Sequence, residues 1–418
     1  MFIETKIYDK LIGILYFEEE TNRVLFEYDK KFLTSNLEIA PILMPLSQKN
    51  KVYSFNNLEE ETFKSLPPVF ADSLPDKFGN TILNKWLSLK GKSIADLNPL
   101  ERLSYIGERG MGAIEYFPNE SLKSKDNPIE ITEIVEIAQK VLANKKQTKS
   151  PNSLENILQI GTSAGGARAK AIIAINQKTN EIISGDVIST DTDFKYYILK
   201  IDGIIDEQTG LPKGYGKIEY AYYKMAKLAK IDMANSELYL ENNNAHFMTE
   251  RFDRIDSKKI HMQTLCGIAN MNYNNPLQHS YEQCFGVMQK LNLSHKDFIK
   301  QYRRMVFNVL AKNCDDHTKN ISFLMNRKGE WSLSPAYDIT FSYNPNNYWI
   351  NQHQMSVNGK RKNITIQDLE TIGKAYEIRN RKTIIKEVKE ALSHWRKIAK
   401  ETKIDENRIK WIESNLIT

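Results

Sequence analysis

A chain of 418 residues is two to three times the usual domain length, so more than one domain with a sizeable core is expected. With 41% hydrophobic and 26% charged residues the composition is globular. A formal net charge of +6 suits an acidic ligand such as a nucleotide but is too small for a free-standing nucleic-acid binder. Charges in Met1-Phe2-Ile3-Glu4-Thr5-Lys6, and no 18-residue apolar run anywhere, argue against a secretory signal and a membrane span, so a cytoplasmic location is expected. Cys266, Cys284 and Cys314 are odd in number and too widely spaced for CxxC pairs, which predicts reduced thiols.

In chain order, the first 120 residues mix short strands such as Leu11 to Phe17 with turn signals, and Gly107, Gly110 and Gly112 precede a strand over Ala113 to Phe117. Ile129, Ile131, Ile134, Ile137, Ala138 and Val141 have helical spacing, and a polar linker follows from Lys145 to Asn152. Strands dominate from Ile160 to Asp253, including Ala171 to Ile175 and Tyr196 to Ile201, with one helix near Glu219 to Ala229. Beyond residue 280 the pattern is mainly helical. Ile384, Ile385, Val388, Leu392, Trp395, Ile398 and Ala399 form an apolar stripe, and Lys382, Lys386, Lys389, Arg396 and Lys397 lie off it as a solvated face, with contact to DNA or a partner the other reading.

The strongest chemical signal is Asn313-Cys314-Asp315-Asp316-His317-Thr318-Lys319-Asn320, where Asp-x4-Asn reproduces the spacing of a kinase catalytic loop. A carboxylate must accept the proton of the substrate hydroxyl while an amide oxygen one turn away coordinates Mg²⁺ on the nucleotide phosphates. Asp315 and Asn320 fit those roles. A hairpin follows: Ile321 to Met325 alternates, Asn326 to Gly329 turns, and Glu330 to Leu333 returns. This sets Asn320 opposite Pro335, so that Asp338 approaches the same metal. Taken singly, Asp315-Asp316-His317 also fits a polar turn and Asp338 a helix N-cap. A metallohydrolase with Asp315, Asp316, His317 and Asp338 as ligands is a further alternative, one that leaves Lys319 and Asn320 idle.

A second signal is the glycine-rich run Gly161 to Lys170, containing Ser163, Gly165, Gly166 and Ala167, whose backbone N–H groups suit phosphate. It is not a Walker loop, because Ala167-Arg168 stand where Lys and Ser/Thr are required, and it also fits a plain glycine turn. Lys200 closes an apolar strand 37 residues after Ser163, as the phosphate-contacting lysine of kinases follows their glycine-rich loop; a solvent-facing strand end is the other reading. Glu219 is a candidate partner for it, and equally an exposed helix carboxylate. Thr249-Glu250-Arg251-Phe252-Asp253-Arg254 stands where a hinge would hold adenine, or forms a charged edge strand.

Read in order, Ser163 to Lys170, Tyr197 to Lys200, Thr249 to Arg254, Asp315 to Asn320 and Leu333 to Asp338 resemble the HipA kinase family. Phe70-Ala71-Asp72-Ser73-Leu74-Pro75-Asp76, Gly79-Asn80 and Gly107 to Phe117 resemble its N-terminal subdomain, so the resemblance spans nearly the whole chain. It implies an α+β, two-lobed protein-kinase-like fold: residues 1–125 as a small N-terminal α/β subdomain, 126–254 as the N-lobe, and 255–418 as a mainly helical C-terminal lobe. It implies Asp315 as catalytic base, Asn320 and Asp338 as Mg²⁺ ligands, and Lys200 as the ATP-phosphate contact. Glu250 and Phe252 fall at the adenine hinge, Gly165, Gly166, Ala167, His317 and Lys319 at the nucleotide, and Ser163 at the autophosphorylated serine. Asp316 is a departure, standing where some members have glycine.

Membership further implies a serine/threonine kinase toxin that phosphorylates a protein, in known cases an aminoacyl-tRNA synthetase. A helix-turn-helix, HipB-like antitoxin neutralises it and carries it to operator DNA. The rivals are a small-molecule kinase of related fold, which lacks the N-terminal motifs, and a catalytically silent module acting with an antitoxin on DNA, which the intact Asp315, Asn320, Asp338 and Lys200 disfavour.

Overall fold

Alternation sets the first sheet. In β1 (Phe2–Ile7) Ile3, Thr5 and Ile7 turn inward, and β1 pairs antiparallel with β2 (Lys10–Glu18). With β3 (Arg23–Tyr28), β4 (Val52–Ser54) and β5 (Ile114–Phe117) this gives a five-stranded antiparallel sheet in the order β4-β3-β2-β1-β5. Its buried face is aromatic: Phe26 lies 4.9 Å from Phe70, which in turn lies 6.4 Å from Tyr116. The Tyr116 hydroxyl donates to Ser73 Oγ at 2.7 Å, which makes the Phe70 to Ser73 motif core structure.

The computed structural model describes residues 1–75, 77–120, 130–142, 168–186, 188–189, 191–203, 214–242 and 244–417. They form two compact units: Met1–Gly214 with Glu237–Gln263 and Met325–Glu330, and Tyr215–Ser236 with Thr264–Leu324 and Trp331–Thr418. The first unit also holds β6 (Lys170–Asn176), β7 (Ile182–Ser184), β8 (Phe194–Lys200), β9 (Ser236–Glu241) and β10 (Asn244–Glu250), ordered β7-β6-β8-β10-β9. One face of β6 is covered by the helices Lys77–Leu89 and Ile131–Leu142, through Ile82, Trp86, Ile134 and Ala138 packed with Ala171, Ile173 and Leu199, while on the other Ala174 packs with Ile183 and Tyr196.

The second unit is mainly helical, and the expected hairpin is formed by Ser322–Met325 and Trp331–Leu333. The helix expected near Glu219 begins earlier, at Tyr215. The helix His295–Leu310 starts at Ser294, whose Oγ accepts from Asp297 N. At its other end the buried Tyr222 hydroxyl donates to Ala311 O at 2.8 Å, satisfying a carbonyl just before the candidate catalytic loop. Tyr222 packs edge-on against Phe307 and Trp395. The apolar stripe from Ile384 to Ala399 is buried, across two helices, Arg381–Ser393 and Trp395–Glu401, that meet at His394. The three cysteines are free and buried, and no helix among the described residues is long and apolar enough to cross a membrane.

Candidate active site

The loop is held before it reaches its functional side chains. Buried Asn313 donates from Nδ2 to Asn308 Oδ1 at 3.0 Å and to the Asp338 carbonyl at 3.3 Å. Asp315 then turns outward, its side chain about half exposed at 48%, with His317 Nε2 3.7 Å from its Oδ1. A short 3-10 turn, Thr318–Asn320, brings Asn320 back so that its Nδ2 donates to the Asp315 carbonyl at 2.8 Å. That bond engages the amide nitrogen, which leaves Oδ1, the kind of atom a hard cation requires, as the acceptor of the side chain. Thr318 Oγ1 donates to Met271 O at 2.6 Å and fixes the turn from below.

The hairpin brings in Asp338. Ser334 N donates to Ser322 O and Asn326 N to Glu330 O, which centres the turn on Lys328 and sets Asn320 level with Ala336 rather than Pro335. The turn is centred on Lys328, as the sequence places it, and symmetric pairing about that residue puts Asn320 one position beyond the expected Pro335. Tyr337 closes the loop: its hydroxyl donates to Lys319 O at 2.6 Å and also contacts Ser322 Oγ. The residue before Asp338 is thereby tied to the residue before Asn320. Asp338 itself has φ 52°, a left-handed conformation that costs a non-glycine residue about 1–3 kcal/mol and that clusters at functional sites.

Asp316 behaves differently from its neighbour. It is buried, and its Oδ2 accepts from Tyr281 OH at 2.9 Å and sits 3.0 Å from His353 Nδ1, while Oδ1 accepts from Gln354 N at 2.8 Å. Burial disfavours the charged form of the His353 imidazole, but the Asp316 carboxylate beside it outweighs burial and pushes it up to about 10, so the ring is protonated at neutral pH. Sequence reasoning missed His353 and Tyr281, which lie 37 and 35 residues from Asp316 with no motif spacing to mark them. With Asp316 so engaged, the metallohydrolase ligand set loses a member; among the described residues no three His, Cys, Asp or Glu side chains gather to hold a metal. The amide oxygen of Asn320 and the carboxylate of Asp338 nonetheless suit Mg²⁺, which takes few protein ligands and completes its shell with water and phosphate oxygens.

His317 and Lys319 share a neighbour that the sequence did not single out. The His317 ring lies 5.5 Å from that of Tyr273, and Lys319 Nζ lies 4.7 Å from the centre of the same ring.

In the first unit, Lys200 ends the central strand β8, opposite Lys170 on β6 and Phe247 on β10, with Nζ 5.8 Å from the Phe247 ring. Glu219, its expected partner, belongs to the other unit. Glu250 lies opposite Tyr197, with Lys195 Nζ 3.7 Å from Oε1. Phe252 is half-buried, but its charged neighbours are fully internal rather than an exposed strand edge. Asp253 takes a bidentate contact from Arg251 at 2.9 and 2.8 Å, a third from Arg254 Nη1 at 2.8 Å and a fourth from Gly112 N at 2.8 Å. Arg254 also donates to the carbonyls of Gly112 and Gly110. Gly112 has φ +76°, and a Cβ there would come within 2.8 Å of Met262 N, so only glycine fits. The two arginines hold the Asp253 carboxyl well below the usual carboxylate range. Ser163, Gly165, Gly166 and Ala167 lie outside the described residues.

The α+β architecture, sheet-rich in its first half and mainly helical in its second, is the class that the sequence implied. Residues 162–395 match the family model of the HipA-like C-terminal domain and residues 3–117 that of the HipA N-terminal domain. The chain belongs to the HipA family. Among solved structures it is similar to HipA of Shewanella oneidensis MR-1, determined with HipB and its operator DNA, at 17% identity over 99% of this chain and 96% of that one with a TM-score of 0.68. It is also matched to the Helicobacter pylori proinflammatory kinase CtkA, at 14% identity over 53% of this chain and 88% of that one with a TM-score of 0.34. No curated protein matches the sequence.

Proposed function

We propose that this chain is an ATP- and Mg²⁺-dependent serine/threonine protein kinase, the toxin of a toxin–antitoxin pair. The observation that carries the reading is the joining of Asp315, Asn320 and Asp338 by the Asn320-to-Asp315 and Tyr337-to-Lys319 hydrogen bonds. Asp315, exposed and flanked by His317, accepts the proton as the substrate hydroxyl oxygen attacks the γ-phosphorus. The bond from that phosphorus to the bridging oxygen breaks, and ADP leaves. Mg²⁺, when bound, neutralises charge on the phosphate oxygens. Asn320 Oδ1 and the Asp338 carboxylate would hold it. By the family resemblance, Lys200, His317, Lys319 and the glycine-rich run with Ser163, Gly165, Gly166 and Ala167 are each assigned to the nucleotide phosphates, and the backbone around Glu250 and Phe252 to adenine.

The acceptor is a protein, of the translation-related kind exemplified by aminoacyl-tRNA synthetases. Supporting this over a small-molecule kinase is the match of residues 3–117 to the HipA N-terminal domain. The Shewanella HipA structure, which contains HipB and operator DNA, supports a HipB-like antitoxin as partner and DNA contact chiefly through it. Residues 1–125, 126–254 and 255–418 are the proposed functional divisions, and the cytoplasm the proposed location. The test is Mg·ATP binding and phosphotransfer by the wild type and by Asp315→Asn. Loss of a general base costs about 10²–10⁴-fold in rate and leaves nucleotide affinity nearly unchanged. Undiminished transfer by Asp315→Asn would remove Asp315 from the mechanism.

A further inference from the structure

Asp316 has no counterpart among the roles assigned so far, yet it is the most heavily engaged side chain of the loop. Its carboxylate is reached from three directions: the Tyr281 hydroxyl from the helix Tyr281–Lys290, and His353 Nδ1 and Gln354 N from the chain beyond Asp338. The network continues on both sides. Asn308 Nδ2 donates to the Tyr281 hydroxyl at 3.0 Å, Asn308 Oδ1 accepts from Asn313, and Asn313 reaches the Asp338 carbonyl. On the far side His353 Nε2 lies 3.8 Å from Cys314 Sγ, and Gln354 N also donates to Cys314 O at 3.3 Å.

We propose that the buried Asp316–His353 pair is a positioning device that fixes the backbone carrying Asp315 and, through Asn308 and Asn313, the strained Asp338, so that phosphotransfer depends on it in rate rather than in ATP affinity. The inference rests on the kinase reading of Asp315. The residues on either side of Asp315 are anchored, Cys314 through its carbonyl and Asp316 through its carboxylate, and the Asp315 carbonyl is taken by Asn320. The carboxylate of Asp315 therefore projects from a backbone with little freedom. A displacement of about 1 Å at a reacting group costs about 10²-fold, which is the scale at stake.

The experiment follows γ-phosphate transfer from Mg·ATP to the chain itself by intact mass, over a range of ATP concentrations, for the wild type, Asp315→Asn, Asp316→Asn, His353→Ala and His353→Asn. Folding is checked by circular dichroism and thermal melting. Asp316→Asn and His353→Ala should lower the maximal rate about 10–100-fold with the half-saturating ATP concentration within about twofold of wild type. His353→Asn retains an N–H where Nδ1 stands and should recover most of the rate, which a purely structural loss would not predict. If Asp315→Asn abolishes transfer while Asp316→Asn and His353→Ala proceed at the wild-type rate, the positioning role is wrong and the kinase reading stands. The positioning role is equally wrong if the two variants raise half-saturating ATP in proportion to any loss of rate, or if His353→Asn is no better than His353→Ala. If Asp315→Asn transfers as fast as wild type, or the wild type transfers nothing, the kinase reading itself fails and the inference with it.

Discussion

Replacing Asp253 by Asn removes one negative charge from the centre of a buried cluster while changing its shape very little. In the native unit that carboxylate neutralises two guanidinium groups with side chains 0% and 2% exposed and takes a backbone N–H from Gly112. An amide in its place points an NH₂ at one of the arginines and leaves two buried positive charges with no counter-charge in direct contact. Breaking a buried ion pair by removing one partner costs about 3–5 kcal/mol. For a domain of about 150–250 residues each kcal/mol lowers Tm by about 2–4 °C, so the melting temperature should fall by about 6–20 °C. Calorimetry of both proteins at pH 7.5, at matched concentration and salt, measures it. The Asp253 carboxyl is held low in the folded state, so its contribution is complete above the unfolded value near 4 and is lost as pH falls further, and the gap between the two proteins should narrow only in acid. A Tm shift below about 2 °C at pH 7.5 would refute the idea that the Asp253 charge organises the segment from Gly110 to Gly112.

Two further outcomes are expected. His353 is raised from 6.5 to about 10 by Asp316, so the pair's stabilisation is complete below about 6.5 and declines as pH rises toward 10, by up to about 1.4 kcal/mol per unit. Melting of Asp316→Asn should accordingly converge on the wild type between pH 7 and 9.5, and a constant gap across that range would count against a charged His353. Protein expressed without antitoxin should carry phosphate on Ser163, five residues before Arg168 in the sequence; phosphate present equally in Asp315→Asn, or on Thr162 instead, would contradict autophosphorylation of Ser163 by Asp315.

The local chemistry was legible in the sequence because it is encoded at short range. The Asp315-x4-Asn320 spacing, the alternating hairpin and the apolar stripe from Ile384 to Ala399 each depend on residues within a few turns of one another, and the position opposite Asn320 shifted by only one residue. Strands β2, β5, β6 and β8 were equally plain from alternation and β-branched runs. What tertiary structure decided was which charges are buried and against what. Nothing in Thr249 to Arg254 distinguishes an exposed edge from a clamp, since the deciding partners, Gly110 and Gly112, lie about 140 residues away. The adjacent Asp315 and Asp316 are chemically identical in sequence and opposite in the fold, one half exposed beside His317, the other sealed against Tyr281 and His353. Burial is a property of the packed neighbours, and it converts the same carboxylate from a candidate proton acceptor into an anchor.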